Sequence, residues 1–239
     1  MKRISRINMR RLLDDVVLLE HADPGARKAN TVTNTYVLLN EDGQALFIDA
    51  SFDYLLPPLR ALLREGYQAV SLALTHRHLL DHPDEAAHRI ATAFDIPILL
   101  HPDDVAARKS STTEVTFVNP LKNSTLDHFG LETIFFPGHT EGHVMYYRER
   151  DNLLFMGDTA LGPTRRGIAN GLQQLIRPPI DSNTDDEQLR RCWLAFSRPV
   201  QHALPLHGAT FTWQTPAQMV RIMQPLQREH PTEQMEASQ

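Results

Sequence analysis

Four short clusters of histidine and aspartate, each set just beyond an apolar run, constrain this chain more than any other feature. They are His76, His78, Asp81 and His82 in Thr75-His-Arg-His-Leu-Leu-Asp-His82; His139 in Pro137-Gly-His-Thr-Glu-Gly142; Asp158 in Gly157-Asp-Thr159; and His207 in Pro205-Leu-His-Gly208. Imidazole nitrogens and carboxylate oxygens, with no thiolate among them, suit zinc, iron or manganese at a reactive centre. Each piece alone has a plainer reading. Asp81 can prepare the entry to a helix at Pro83, and His76 and His78 can be polar residues at a strand exit. Together the four clusters read as a two-metal hydrolytic site.

The runs between the clusters support that reading. Residues 34–39 and 44–50 are β-rich and joined by Asn40-Glu-Asp-Gly43, a hairpin signal. Leu59, Leu62 and Leu63 have helical spacing, with Gly66 placed to stop the helix. Residues 70–74 predict a strand that leads into the first cluster. Pro83 suits the first position of a second helix, whose apolar face would be Ala86, Ile90 and Phe94, and 96–100 predicts another strand. In the second half, strands are predicted over 131–136, 144–147, 153–156 and 202–206, ending at His139, Asp158 and His207. A helix is predicted over 185–196, and a last one begins at Thr215-Pro216 and is kinked or ended by Pro225. Loops at strand ends, held by a rigid sheet, are where reactive groups are displayed.

Composition bounds the remaining possibilities. The 239 residues are 41% hydrophobic and 22% charged, an ordinary globular balance. No composition shift marks a linker, so 1–239 is expected to form one domain, with a frayed polar tail at 231–239. The formal charge of -5 gives no general attraction to nucleic acid. The basic N-terminal residues Lys2, Arg3, Arg6, Arg10 and Arg11 read as a solvated first strand or arm. No apolar run approaches the roughly 20 residues that span a bilayer, so no membrane association is expected. A single cysteine, Cys192, excludes an internal disulfide and suits a reducing compartment; it is expected to be a buried small hydrophobe in a cytoplasmic protein. The segment 162–184, with Arg165, Arg166 and two adjacent prolines, has little periodicity and is long enough to be an active-site loop. His21, His88, His101, His128, His202 and His230 have no motif context and are expected at the surface or the core edge.

In order and spacing, the clusters resemble the metallo-β-lactamase superfamily. That family carries Thr-His-x-His-x-Asp-His after a strand, then Gly-His-Thr-x-Gly, then Gly-Asp, then a late His-Gly. The match runs across 34–208 and includes Asn-Thr-Tyr at 34–36 and Ile48-Asp49 at a strand end. The resemblance implies an α+β fold, an αββα sandwich of two mixed β-sheets flanked by helices, with a metal centre at one edge. It implies that His76, His78 and His139 hold a first ion, that Asp81, His82 and His207 hold a second, and that Asp158 bridges them. It is closest in character to the branch of hydroxyacylglutathione hydrolases, lactonases and other thioester and ester hydrolases. The implied cofactors are two divalent ions, zinc foremost, with iron or manganese as alternatives, and the implied partner is a small-molecule substrate. Asp81 would orient the attacking water-derived nucleophile. Asp49 would support a ligand or form a turn.

Two departures stand out. Leu79 and Leu80 occupy the stretch where the family has one residue between the second histidine and the aspartate. An added residue displaces the chain beyond it by up to about 3.4 Å, whereas ligand distances tolerate about 0.2 Å. Either the extra residue is absorbed locally or the second site is altered. His143 replaces the serine of many relatives, as a substrate contact, a proton donor or a structural hydrogen bond. Two other functions remain on the same scaffold: an iron-dependent oxidoreductase, and a non-catalytic metal-binding sensor with an altered second site.

Overall fold

In the computed structural model, the described residues are 7–22, 32–81, 87–109 and 115–229. Alternation of side chains along the strands decides the architecture, because successive residues of a strand point to opposite faces. In β3 (Val32–Leu39), Tyr36 and Leu38 enter one apolar cluster while Val37 and Leu39 enter another. In β4 (Gln44–Ile48), Leu46 and Ile48 follow the first pair, and Ala45 and Phe47 the second. β9 (Val144–Arg148) and β10 (Leu153–Gly157) divide in the same way. Val144, Tyr146, Leu153 and Phe155 meet the β3 and β4 side chains, while Met145, Tyr147, Leu154 and Met156 face outward. A strand buried on both faces needs a cover on each, so both sheets carry helices outside.

The first sheet has seven strands in sequence order. They are β1 (Asn8–Leu13), β2 (Val16–Ala22), β3, β4, β5 (Gln68–Ala73), β6 (Ile98–Leu99) and β7 (Phe117–Val118). The first four pair antiparallel and the rest parallel. The second sheet has the order β12-β11-β10-β9-β8, where β8 is Leu131–Phe135, β11 His202–Pro205 and β12 Phe211–Thr212. Its β10–β11 pair is parallel and the other pairs are antiparallel.

The helix α1 (Leu56–Leu63) packs Leu59 and Leu62, and α3 (Ala87–Phe94) packs Ala87 and Ile90, on the outer face of the first sheet. A single turn, α2 (His78–Asp81), precedes α3, and α4 (Pro102–Ala107) follows β6. Beyond the second sheet, α6 (Asp186–Ala195) supplies Leu189 and Trp193, and α7 (Pro216–Met223) supplies Ile222 and Met223. The result is the αββα sandwich of two mixed sheets. At α6 and α7 a side chain satisfies the first amides. Asp185 accepts from Gln188 N, and Thr215 with Gln218 forms a capping box at α7. Among the described residues no helix is long and apolar enough to cross a membrane.

The structure adds detail to several expectations. Arg10 and Arg11 lie exposed on a first strand, as expected, and a second strand follows in which Val16 to Leu19 is fully covered. The segment 162–184 holds a helix, α5 (Arg165–Ala169), and a 3-10 turn at Ile180–Ser182, and Leu161 bridges Ile176. Cys192 is half-buried, with burial pushing its thiol pKa up. The helix start at Pro83, Ala86 on its face, residues Lys2, Arg3 and Arg6, and the tail at 231–239 lie outside the described residues.

Candidate metal centre

β5, β8, β10 and β11 all deliver their following loops to one edge of the sandwich. Thr75 O accepts the Val144 amide at 2.9 Å, Gly157 O accepts Leu206 N at 3.0 Å, and Leu206 O accepts Asn34 N at 2.8 Å. The first and last of these bonds join the two sheets beside the clusters, and the middle one lies within the second sheet. Asn34 adds side-chain donation to Pro205 O and Gly208 O, at 2.9 and 2.8 Å, and so clamps the turn that carries His207. Gly157 has φ +54, and a Cβ there would lie 2.4 Å from Thr75 Oγ1 and 2.6 Å from His143 Nε2. Only glycine permits that approach.

Three imidazoles converge at this edge. One possible ligand atom from each of His76, His78 and His139 lies within 4.8 Å of the other two. His78 Nδ1 is 3.1 Å from His139 Nε2. Nitrogen–metal bonds of about 2.0–2.1 Å in a tetrahedron put donor atoms about 3.4 Å apart, close to the His78–His139 separation, so the donor set suits one ion. Asp158 Oδ2 lies 3.8 Å from His76 Nε2, 3.8 Å from His139 Nε2 and 3.5 Å from His207 Nε2. The carboxylate therefore stands between the three-imidazole group and His207.

The outward nitrogens of these rings have partners. His139 Nδ1 meets Asn183 Oδ1 at 3.0 Å, His76 Nδ1 meets Thr75 Oγ1 at 3.1 Å, and His207 Nδ1 meets Thr33 Oγ1 at 3.4 Å. An acceptor on Nδ1 fixes the proton there and leaves the Nε2 lone pair pointing inward. Burial, reinforced by the neighbouring His139, holds His76 well below the usual histidine range and brings His78 down to about 4. Neutral imidazole is the form that binds metals.

Asp49 and His143 support this arrangement from behind. The Asp49 carboxylate accepts the Thr75 amide at 2.8 Å and the Thr75 hydroxyl at 3.0 Å, and that hydroxyl touches His76. Burial, only partly opposed by the Thr75 bonds, pushes the Asp49 pKa up to about 7. Asp49 also has φ +54, so it both turns the chain and supports the site. His143 is fully buried, stacks on His76 at 5.1 Å between ring centroids, and accepts the Asp158 amide through Nε2 at 3.2 Å. Of the roles open to it, the structural hydrogen bond is the one present.

The remaining motif residues are placed differently. Leu79 and Leu80 are buried in the core within the helical turn α2. Asp81 accepts the Lys109 amide at 2.8 Å and lies 3.9 Å from Arg77 Nε. His82 lies outside the described residues. His21 is not at the surface or the core edge. It is fully buried, bonded to Tyr54 Oη at 2.8 Å, and burial lowers its pKa to about 3. Sequence reasoning also passed over Asn183 and Asp104. Asn183 has no motif context and is seen only once the 162–184 segment is folded back onto His139. Asp104, in His101-Pro-Asp-Asp104, could have been noticed as a carboxylate just past a predicted strand.

No protein-family model matches the chain. In sequence it is similar to a probable metallo-hydrolase, YybB, of Bacillus subtilis, 33% identical over 111 residues, which is 42% of this chain and 49% of the relative. A second Bacillus subtilis probable metallo-hydrolase, YqgX, is 26% identical over 62% of this chain and 76% of its own. A hydroxyacylglutathione hydrolase of Mesorhizobium japonicum is 32% identical over 51% and 46%. The chain thus spans about half the length of two of these three relatives. Among solved structures, a metallo-β-lactamase from Pontibacter korlensis superposes with TM-score 0.69 at 16% identity, over 94% of this chain and all of that one. The DIM-1 metallo-β-lactamase gives 0.68 at 17%, over 93% and 95%. The fold is that of the metallo-β-lactamases. Its sequence relatives include probable metallo-hydrolases and hydroxyacylglutathione hydrolases.

Proposed function

We propose that this protein is a metal-dependent hydrolase of thioester, lactone or other ester-type bonds. The observation that carries the proposal is the convergence of His76, His78 and His139 opposite the Asp158 carboxylate. His76 and His139 through Nε2, and His78 through Nδ1, would hold one ion, zinc foremost by donor type. Asp158 stands where it could bridge to a second ion beside His207. Motif order, rather than contact in the structure, assigns Asp81 and His82 to that second ion.

A divalent ion in such a centre polarises a carbonyl oxygen and makes water acidic enough to attack near neutral pH. The chain's own residues prepare that chemistry. Asn183, Thr75 and Thr33 hold ring orientations, so the imidazole lone pairs need no reorganisation when charge develops. The Asp158 backbone amide donates to His143 Nε2, which fixes the start of the turn that carries its carboxylate beside the imidazoles. Two relatives bear the name hydroxyacylglutathione hydrolase, which favours an acyl thioester among the candidate substrates. The single cysteine suits a reducing, cytoplasmic setting.

The test is a panel of thioesters, lactones, oxyesters and phosphodiesters, assayed with protein loaded with zinc, manganese or iron. Turnover of an acyl substrate that is lost on chelation and in Asp158→Ala supports the proposal. Turnover of phosphodiesters alone, or no metal-dependent turnover, refutes it.

A further inference from the structure

The ligand set comes from separate loops, and nothing in the motifs explains what sets their spacing. One buried carboxylate does so. Asp104, fully covered in α4, accepts four hydrogen bonds. Its Oδ2 takes the Arg77 amide at 2.8 Å and the Thr140 hydroxyl at 2.8 Å. Its Oδ1 takes the Gly142 amide at 2.8 Å and an Arg77 guanidinium N–H at 3.1 Å. Arg77 lies between His76 and His78, and Thr140 and Gly142 lie just past His139. Each oxygen therefore binds both loops.

The fit leaves no slack. A Cβ at Gly142 would lie 2.6 Å from Asp104 N and 2.9 Å from the Asp104 side chain, so this loop must be glycine at the point of contact. The Arg77 guanidinium also pairs with Glu141, on the His139 loop. A buried carboxylate bonded to two backbone amides cannot shift without stranding donors, each costing about 1–3 kcal/mol. Its position thus transmits to His76 and His78 on one side and His139 on the other.

Resting on the metal-centre reading above, we infer that Asp104 is a positioning residue of that centre. It holds the His76–His78 loop and the His139 loop at the separation that three imidazoles need to share one ion. Asp104→Asn keeps the shape but turns an amide N–H₂ towards donors. Thr140→Val, nearly isosteric, removes one of the four bonds.

Metal-free wild type, Asp104→Asn and Thr140→Val are titrated with zinc by calorimetry and with cobalt(II) by visible absorption. Circular dichroism and melting serve as fold controls. Arg148→Met, which disturbs a buried ion pair of a different cluster, is the control for general destabilisation. Expected are an affinity loss of about 10- to 100-fold in Asp104→Asn with an altered cobalt spectrum, a smaller loss in Thr140→Val, and none in Arg148→Met. A folded Asp104→Asn with wild-type affinity and spectrum overturns the role. If Asp104→Asn does not fold, wild-type affinity in Thr140→Val overturns it, as does an equal loss in Arg148→Met. A wild type that binds no ion removes the metal centre itself, and the role with it. Binding that all variants retain removes only the role.

Discussion

The Nδ1 atom of His78 lies 3.1 Å from Nε2 of His139, although 61 residues of chain separate them. Two ring nitrogens so close, one of them on a ring whose other nitrogen faces Asn183 Oδ1, form a pair that a metal ion completes. Metal binding is therefore expected to stabilise the fold. At an ion concentration about 100 times the dissociation constant the gain is about 2.7 kcal/mol. Melting with zinc and with chelator measures it. His78→Ala should abolish the difference; an unchanged difference would place the ion elsewhere.

Asn183 orients His139 through Nδ1 and is itself held, donating to Asp186 Oδ1 at 2.8 Å. Asn183→Ala is expected to weaken zinc binding about 10- to 100-fold, whereas Asn183→Asp, which keeps the acceptor, should retain most of it. Calorimetric titration of both variants decides. Equal affinity in Asn183→Ala and wild type would show that His139 needs no such support.

His21 supplies a pH dependence away from the centre. Burial, with a smaller contribution from His207, lowers its pKa from 6.5 to about 3. The unfolded chain then binds a proton that the native chain refuses. The stability His21 contributes is complete above about pH 6.5 and is lost as pH falls from there towards 3, with a slope near 1.4 kcal/mol per pH unit for one proton. His21→Gln removes that proton, so its urea midpoint should fall less steeply than wild type between pH 6 and 4. Parallel curves would show that His21 titrates alike in both states.

Arg148 is 1% exposed and binds both Asp15, in the β1–β2 turn, and Asp151, at 2.7 and 2.6 Å. It ties the first sheet to the second at the end of β9. Arg148→Ala leaves two carboxylates facing each other without their cation, an expected loss of about 3 kcal/mol. Denaturant unfolding measures it; a loss under about 1 kcal/mol would show that solvent screens the pair.

The range of each interaction decides how far it can be read from the sequence. Runs of β-forming and apolar residues mark β3, β4, β9 and β10, and the Asp-Gly hairpin lies where 40–43 places it, because those signals are local. β2 went unread because no turn or motif signal flags Val16 to Leu19, whose four side chains are buried on two faces. The histidine clusters are visible as motifs, yet their supports are not. Asn183 reaches His139 across 44 residues and Asp104 reaches Gly142 across 38. Neither spacing is periodic, so only the folded chain reveals them. The Leu79-Leu80 departure is visible as a misfit. The helical turn it occupies, with the Lys109 amide donating to Asp81, depends on tertiary packing of two leucines.

Anomalous diffraction at the zinc edge, from crystals of zinc-loaded protein, decides whether the three rings hold an ion. A peak is expected about 2.0–2.1 Å from each of His76 Nε2, His78 Nδ1 and His139 Nε2. An empty map among those three rings, or zinc bound only at other residues, would refute the metal centre.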